Sequence, residues 1–342
     1  MSKPQGRGAW VAFVDAMSAG GRAEDIALLV ERARCLGCSW VALRVGAAGQ
    51  RDGGAHLGGA PARDLVDAIR GAGLGLYVWL FEYAAHPTAS RSIWKAWQSL
   101  SDGAIVNAEF EYLAATREMA EQLVSDLRAM GYDYVAHAPP DYAGGRGDGA
   151  MAYLDAVCDE IMPQVYAYEH DDRGHAHHLD AVRTLYERRG LLDKVSPIGC
   201  TYRPKTRGGK ALAPVPDEVV ARDVVAFLDH PWTRASSAPS LYSLDALTFA
   251  GDGREAVLLA VEEHDQHARD TSPGLAWSPT EPPPALQLVP EEQATVQGVL
   301  DMVAGPPPAP SVTQPGTPTA IRRSSSSSLR ALRPPTEGDP EP

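Results

Sequence analysis

Cysteine, positive charge and long hydrophobic runs are all scarce in this sequence, and each scarcity excludes a class of protein. Four cysteines in 342 residues are too few for a small scaffold held together by disulfides. Lys and Arg number 31 against 44 Asp and Glu, a net charge of -13, which argues against a surface that binds phosphate or nucleic acid. Near the start of the chain the short apolar run is interrupted by Asp15, so neither a signal peptide nor a membrane span is predicted there.

The remaining composition is that of a globular protein with a full core. Hydrophobic residues make up 44% of the chain and charged residues 22%. The length allows one large α/β domain with extensions, or two average domains. We expect a soluble protein that acts on a neutral substrate, either in the cytoplasm or released by a non-classical route associated with a phage or with lysis.

Two of the cysteines form a CxxC pattern, which suggests redox or zinc chemistry at first sight. They are Cys35 and Cys38, within the sequence CLGC. No second CxxC and no suitably spaced His pair completes a zinc site in the sequence. The pair also falls where a predicted helix ends at Gly37 and a buried strand begins at Trp40, so we interpret both as small buried thiols.

One unit repeats from residue 8 onward: a short β-branched or aromatic run, a polar or Gly-rich turn, and a helical stretch. The runs predict eight strands, at 9–15, 40–46, 74–82, 104–109, 132–138, 160–168, 195–202 and 239–247. Between them, apolar residues recur at the spacing of one helix face. The predicted helices cover 23–37, 62–73, 117–131, 151–159, 178–190, 217–230 and 255–268.

Eight such units in about 250 residues are typical of a (β/α)8 barrel. The alternative is a doubly wound open sheet, but FVDAMSAGG after the first strand is not the GxGxxG of such folds. We therefore predict an α/β fold, a TIM-type barrel over residues 1–270. Segment 271–305 is predicted to be a Pro-rich linker with a short helix, and 306–342 a disordered tail with few apolar residues to bury.

In such a barrel the C-terminal ends of the strands meet at one mouth, which is where an active site forms. The residue types at these positions are acidic and aromatic with few cations, a mixture that suits a carbohydrate better than a phosphate. The candidates are Asp15, Arg44, Trp79, Glu82, Asn107, Glu109, His137, Gln164, Tyr166, Tyr202, Ser243 and Asp245.

The stretch GAIVNAEFEYL, residues 103–113, carries the central candidate of this group. Asn107 and Glu109 are two apart on a strand and therefore project from the same face. Glycoside cleavage needs one protonated carboxyl group and a second group that stabilises a cation-like transition state. We predict that Glu109 is the acid, with Asp15 and Asp245 as the other carboxylates. The alternative is that Glu109 and Glu111 are solvated residues at the start of a helix.

Four short pieces, FVDAMSAGG, WVALRVGAAG, IVNAEFEY and SLDALTFAG, occur in this order between residues 8 and 252. Together they resemble the glycoside hydrolase family 25 lysozymes of the Chalaropsis type, which are barrels that cleave peptidoglycan between N-acetylmuramic acid and N-acetylglucosamine. The resemblance implies that Glu109 is the general acid, that Asp15 and Asp245 are family aspartates, and that Arg44 is the arginine of the second strand. IMPQVYAYEH also resembles the sixth strand of several glycosidase-like barrels, in which a Gln or Tyr contacts the sugar.

The sequence departs from that family at Asn107, where the family has the Asp of an Asp-x-Glu motif. In the family this Asp assists the N-acetyl group of the substrate or stabilises positive charge. An amide is neutral, so it orients that group but stabilises less charge. Either Asp15 or Asp245 takes over the role, or the barrel is weakly active or inactive.

A His-rich segment, EHDDRGHAHH at 169–178, raises the question of a metal. Metal-dependent barrel hydrolases usually carry an HxH on the first strand, whereas this segment follows the sixth. We therefore predict a loop in front of the cleft, and neither a metal nor a cofactor.

Two functions follow as hypotheses. The first is a retaining-type glycoside hydrolase that acts on peptidoglycan or a related N-acetylated polysaccharide. Glu109 would donate the proton, Asn107 would orient the acetamido group, and the substrate would contact Arg44, Trp79, Glu82, His137, Gln164, Tyr166 and Tyr202. The second is an inactive barrel of the same kind that binds glycans or serves as a structural module, for example of a phage particle or a secretion device.

Overall fold

The computed structural model describes most of the first 271 residues of the chain. The described ranges are 3–12, 22–47, 49–52, 54–57, 59–83, 87–109, 112, 115–140, 149–166, 174–202, 206–207, 210–211, 215–244 and 254–271. All of them belong to one compact unit, Met1–Gly305. Within these ranges no helix is long and apolar enough to cross a membrane.

In the part of the chain that the structure describes, eight parallel strands build the central sheet, one from each predicted run, and a short antiparallel strand, Gln50–Arg51, pairs at its edge. Their bounds are β1 (Gly8–Val11), β2 (Trp40–Ala47), β3 (Gly75–Glu82), β4 (Gly103–Ala108), β5 (Val135–His137), β6 (Glu160–Ile161 and Gln164–Val165), β7 (Ile198–Cys200) and β8 (Ser240–Tyr242). The strands follow one another around the sheet in chain order, and β8 pairs with β1. The sheet is therefore a barrel, as predicted.

The sixth strand closes this barrel because it hydrogen-bonds to the strands on both of its sides. Towards β5, the Met162 N–H donates to the His137 carbonyl at 2.7 Å. Towards β7, the Ser196 N–H donates to the Ile161 carbonyl at 2.8 Å, and Gln164 pairs with Ile198. Met162 and Pro163 only interrupt the regular pairing inside one strand, so the two segments of β6 count as one.

Among the described residues, a short helix, Pro231–Ala235, precedes β8, and eight longer helices pack around the barrel, one after each strand. They are α1 (Arg22–Cys35), α2 (Arg63–Gly71), α3 (Pro87–Trp97), α4 (Arg117–Ala129), α5 (Gly149–Val157), α6 (Gly174–Arg188), α7 (Asp217–Asp229) and α8 (Arg254–Thr271). Seven confirm predicted helices. Helix α3 was not predicted, since Ser, Thr and Trp are only moderate helix formers; it is stabilised by packing, with Ile93, Trp94 and Trp97 fully buried.

The alternation of side chains along the strands sorts the apolar residues into two cores. One set fills the inside of the barrel and is dominated by aromatic rings, among them Trp10, Trp40, Tyr77, Trp79 and Tyr134. The other set is aliphatic and lies between the strands and the helices, with Leu43, Leu80, Val106 and Leu127 among its members. A side chain at the end of a strand therefore faces the mouth only if it lies on the inner face of the sheet, as the first set does.

The cysteine prediction holds for one residue of the CxxC pair and is wrong for the other. Cys38 is buried at the start of the turn into β2, whereas Cys35, the last residue of α1, is exposed. The difference arises because α1 buries only one face, formed by Ile26, Leu29 and Ala33, and Cys35 lies off that face.

The predicted contact between Glu82 and the substrate is the first point of the site that the structure corrects. It is the last residue of β3 and points outward to the helices, where it is 2% exposed and accepts a hydrogen bond from Trp94 Nε1 at 2.6 Å. Burial raises the pKa of the Glu82 carboxyl to about 7, partly offset by the Trp94 bond. Glu82 is therefore a buried structural acid and does not face the mouth.

His137 is the second correction, and it also lies on the outer face of the sheet. Its Nδ1 is 2.9 Å from Asp155 Oδ1 on α5, and Arg189 Nη1 donates to the other Asp155 oxygen at 2.5 Å. His137 and Asp155 are buried between β5 and the helices, Arg189 is half-buried beside them, and the His137 side chain is fully inaccessible. The expected contact between His137 and a substrate is therefore not possible in this fold.

We predict that Glu82 makes stability depend on pH. The folded chain keeps the Glu82 proton up to about pH 7, whereas the unfolded chain releases it near 4.5, so raising the pH across this window favours unfolding. Over the whole window the effect is about 3 kcal/mol. Urea unfolding at pH 5 and pH 8 should show that Glu82→Gln, which stays neutral, is stabilised relative to the wild type at the higher pH.

The control is Glu121→Gln, which changes the same chemical group on the surface of α4. This variant should track the wild type at both pH values. A parallel response of Glu82→Gln and Glu121→Gln would contradict the assignment of the pH dependence to Glu82.

Candidate active site

Asn107 and Glu109 form the centre of the polar cluster at the mouth of the barrel. Asn107 is inside the barrel at the end of β4 and is 5% exposed, and Glu109 follows on the same face and is half-buried. The Asn107 Nδ2 donates to Glu109 Oε1 at 3.1 Å. The predicted projection of both residues to one side is confirmed, because Ile105 on the same face fills the interior below them.

Gln164 joins this cluster from β6, on the far side of β5. Its Nε2 donates to Asn107 Oδ1 at 2.8 Å and to Glu109 Oε1 at 3.0 Å, and lies 3.3 Å from the Ala138 carbonyl. One oxygen of Glu109 therefore accepts from two neutral amides. These donors hold the carboxyl group in place and stabilise negative charge on that oxygen.

A wall of three tyrosines stands beside this cluster, and we refer to Tyr166, Tyr202 and Tyr242 as the tyrosine wall. The rings of Tyr166 and Tyr242 are stacked with centroids 5.2 Å apart, and Tyr202 lies 6.3 Å and 6.0 Å from them at steep angles. Burial, with a contribution from Tyr242, raises the pKa of the Tyr166 phenol well above its usual range. Tyr166 is therefore neutral, and the wall offers aromatic faces and hydroxyl groups.

Tyr242 was missed by the sequence reasoning, which placed Ser243 and Asp245 at the end of the last strand. The register of β8 decides the matter, because Tyr242 pairs with Trp10 of β1 and Cys200 of β7, both inside the barrel. The run SLYSL carries a signal for this arrangement, namely an aromatic residue at the end of a barrel strand. Such a residue faces the interior when the residues that pair with it on the two neighbouring strands also do.

Trp79 lies below the mouth rather than in it. It is 2% exposed, packs against Trp10 with ring centroids 5.5 Å apart, and donates from Nε1 to the Val11 carbonyl at 3.1 Å. It therefore forms the floor of the site, and the expectation that a sugar stacks directly on it is corrected. Phe81, the next residue on that face of β3, and Tyr83, one residue beyond the end of the strand, are half-buried and stand higher.

Arg44 projects into the mouth from β2, as predicted, and its guanidinium lies 5.9 Å from the Trp79 ring centroid. Its Nε donates to Asp52 Oδ2 at 2.6 Å, and the Asp52 side chain is 2% exposed. Asp52 was not predicted, because it follows the strand by several residues and only the hairpin at Gln50–Arg51 folds it back. The pair orients Arg44 and neutralises much of its charge.

Two predicted carboxylates, Asp15 and Asp245, lie outside the described residues, and their roles stay predictions. Of the His-rich segment, residues 169–173 also lie outside. Residues 174–177, predicted to lie in a loop, instead form the first turn of α6, with His175 as its second residue. The His175 Nε2 accepts from the Cys200 N–H at 3.0 Å, and its Nδ1 forms an ion-pair contact with Asp223 of α7. His175 thus ties α6, α7 and the end of β7 together. Among the described residues, no three His, Cys, Asp or Glu side chains group as a metal site would require.

The sequence matches no protein-family model and no curated protein. Among solved structures, the chain is similar to the PgaB (BpsB) glycoside hydrolase domain from Bordetella bronchiseptica, with a TM-score of 0.52 and 13% identity over 75% of this chain and 98% of that one. It is also similar to the catalytic domain of a family GH18 chitinase from the fern Peteris ryukyuensis, with a TM-score of 0.46 and 12% identity over 75% and 98%. The first likeness establishes a shared fold.

The protein is thus a barrel of the kind found in glycoside hydrolases. In its mouth a carboxyl group, two amides and an arginine paired with an aspartate are set against aromatic rings. Such a set can bind a polyhydroxylated ring by stacking and hydrogen bonding, and its carboxyl group can exchange a proton with a bound oxygen.

We predict that Gln164→Leu destabilises the fold as well as the site. Leucine removes the donor to Asn107 Oδ1, and leaving a buried acceptor without its partner costs about 1–3 kcal/mol. Denaturant unfolding should measure a loss in this range. Gln98→Leu is the control, since Gln98 donates to the Gly131 carbonyl at the surface and should change stability by less than about 0.5 kcal/mol. Equal effects of both substitutions would contradict the role given to the Gln164 amide.

Proposed function

We propose that this protein is a glycoside hydrolase that cleaves peptidoglycan or a related N-acetylated polysaccharide. The observation that carries the proposal is the position of Glu109, which is half-buried at the end of β4, hydrogen-bonded by Asn107 and Gln164, and near the tyrosine wall. The fold shared with the glycoside hydrolase domain of PgaB supports the general class. The likeness to family 25 lysozymes supports the finer choice of substrate.

In the proposed reaction, Glu109 donates its proton to the oxygen of the scissile glycosidic bond. The bond between that oxygen and the anomeric carbon breaks, and the carbonyl oxygen of the substrate's N-acetyl group attacks the anomeric carbon from the opposite face. Glu109, now a carboxylate, takes a proton from the water that opens the resulting ring, so that the configuration is retained. Asn107 orients the acetamido group, and Asp15 and Asp245 stabilise the positive charge.

The test is Glu109→Gln, assayed by turbidity loss of purified cell walls and by mass spectrometry of the products. Glutamine keeps the size of the side chain but has no proton to donate. General acid catalysis contributes about 10²–10⁴-fold, so product release should fall by that factor. Unchanged activity in this variant would contradict the assignment.

The matched control is Glu82→Gln, the same chemical change at the end of the neighbouring strand. Glu82 faces the helices, and a Gln carbonyl there can still accept from Trp94. Cell-wall cleavage by this variant should stay within about twofold of the wild type at pH 5, where the wild-type carboxyl is already neutral. A loss equal to that of Glu109→Gln would indicate that both substitutions act through the fold.

Asn107 provides a second test because it stands where the family 25 lysozymes have an Asp. In Asn107→Asp, Gln164 Nε2 still finds an oxygen acceptor at position 107. The hydrogen bond from Asn107 Nδ2 to Glu109 Oε1 is lost, and two carboxyl groups then lie next to each other. Two carboxylates in contact resist the loss of both protons, so one is retained to higher pH. We expect the alkaline limb of the pH profile to move up by at least about one unit.

The readout is the pH profile of kcat for cell-wall cleavage by Asn107→Asp and by the wild type. Asn107→Ala serves as the comparison, since it removes the same hydrogen bond without adding charge. An alkaline limb that moves equally in both variants would show that the lost amide, and not the added carboxyl group, causes the change.

The neutral Asn107 also favours a second candidate function, a barrel that binds glycans or serves as a structural module without turnover. An amide beside Glu109 stabilises less positive charge than the family's Asp. Saturable binding of cell-wall fragments without any product, and without an effect of Glu109→Gln beyond a modest shift in affinity, would favour this function over hydrolysis.

A further inference from the structure

We propose that Phe81 and Tyr83 form a second sugar-binding subsite, on the opposite side of Glu109 from the tyrosine wall. A glycan chain then lies across the acid rather than ending at it, and cleavage occurs within the chain. This inference deepens the proposed function and rests on it. We refer to the two residues as the β3 pair.

The first observation is the change in burial along the inner face of β3. Tyr77 and Trp79 fill the interior and are 3% and 2% exposed. Phe81 continues the same face, and Tyr83 follows one residue beyond the end of β3. Both are only half-buried, and their rings pack with centroids 5.2 Å apart at 39°. The inner face of β3 therefore changes from core to accessible surface at the level of the mouth.

The second observation is the register between β3 and β4, which places the β3 pair beside the acid. Phe81 pairs directly with Asn107. Neighbouring strands lie about 4.8 Å apart, so the Phe81 backbone stands about one strand spacing from that of Asn107. Tyr83 and Glu109 each follow their strand-end neighbour by two residues. One strand spacing is comparable to the width of one sugar ring.

The third observation is the order of the strands, which places the tyrosine wall on the other side. From β4 the barrel continues through β5 to β6, where Gln164 reaches back to Glu109 and Tyr166 follows two residues later. The charge of Glu109 acts on the Tyr166 phenol, so the wall also borders the acid. Glu109 thus has aromatic rings on both of its sides along the barrel rim.

Because aromatic rings lie on two sides of Glu109, the binding affinity depends on the length of the ligand. Each ring face stacks on the C–H face of one sugar and adds binding energy only if the ligand reaches it. A short oligomer occupies the larger tyrosine wall alone, while a longer one also covers the β3 pair. The affinity is therefore expected to rise with chain length until both surfaces are filled.

The experiment measures binding rather than turnover and uses the full chain with the Glu109→Gln substitution. N-acetylglucosamine oligomers of two to six sugars are titrated by calorimetry. We expect Tyr83→Ala to weaken binding of the hexamer by about tenfold while affinity for the dimer changes by less than about twofold. Phe81→Leu, which preserves the packing on the interior, should show the same dependence on length. Tyr242→Ala should weaken the dimer and the hexamer alike.

Tyr153→Ala is the matched control, because Tyr153 is a half-buried tyrosine on α5, where its ring contacts Arg117 outside the barrel. It should bind every oligomer as the parent does. Equal weakening of dimer and hexamer by Tyr83→Ala, or none, would overturn the subsite while leaving the proposed function intact. Failure of every oligomer to bind the parent at millimolar concentration would overturn both.

Discussion

The hydrogen bonds of the sixth strand to both of its neighbours are the constraint on which the site depends. They close the barrel, and closure brings Gln164 within hydrogen-bonding distance of Asn107 and Glu109, which are more than fifty residues earlier in the chain. In an open sheet the ends of β4 and β6 would be held by β5 alone and could splay apart. The geometry of the cluster is thus a property of the closed sheet as a whole.

Polar groups have two distinct roles in this barrel, according to the face of the sheet on which they lie. Outside, Glu82 with Trp94 and His137 with Asp155 are buried among helices, where they brace the fold and have no access to a ligand. Inside, the cluster around Glu109 is built mainly of neutral amides. These amides fix the position of the Glu109 carboxyl group through hydrogen bonds to one of its oxygens and add no charge of their own.

The fold was predictable from the sequence, and the site was predictable in part. Eight runs of strand residues and seven helix faces are local patterns, and each one is present in the structure. The placement of Asn107, Glu109, Gln164, Tyr166 and Tyr202 at one mouth also followed from the rule that barrel strands end there. Asp52, Phe81, Tyr83 and Tyr242 did not follow, because a hairpin or the exact register of a strand brings them to the mouth.

The sequence by itself determined which segments form strands and, apart from α3, which form helices, since the spacing of apolar residues records how many faces of each segment are buried. Only the tertiary structure decided which of two adjacent residues faces the mouth. Phe81 and Glu82 are neighbours at the end of one strand, and the acid turns to the helices while the phenylalanine turns to the interior. The physical reason is that inside and outside are defined by the closed sheet, and a strand buried on both faces carries no local signal that distinguishes them.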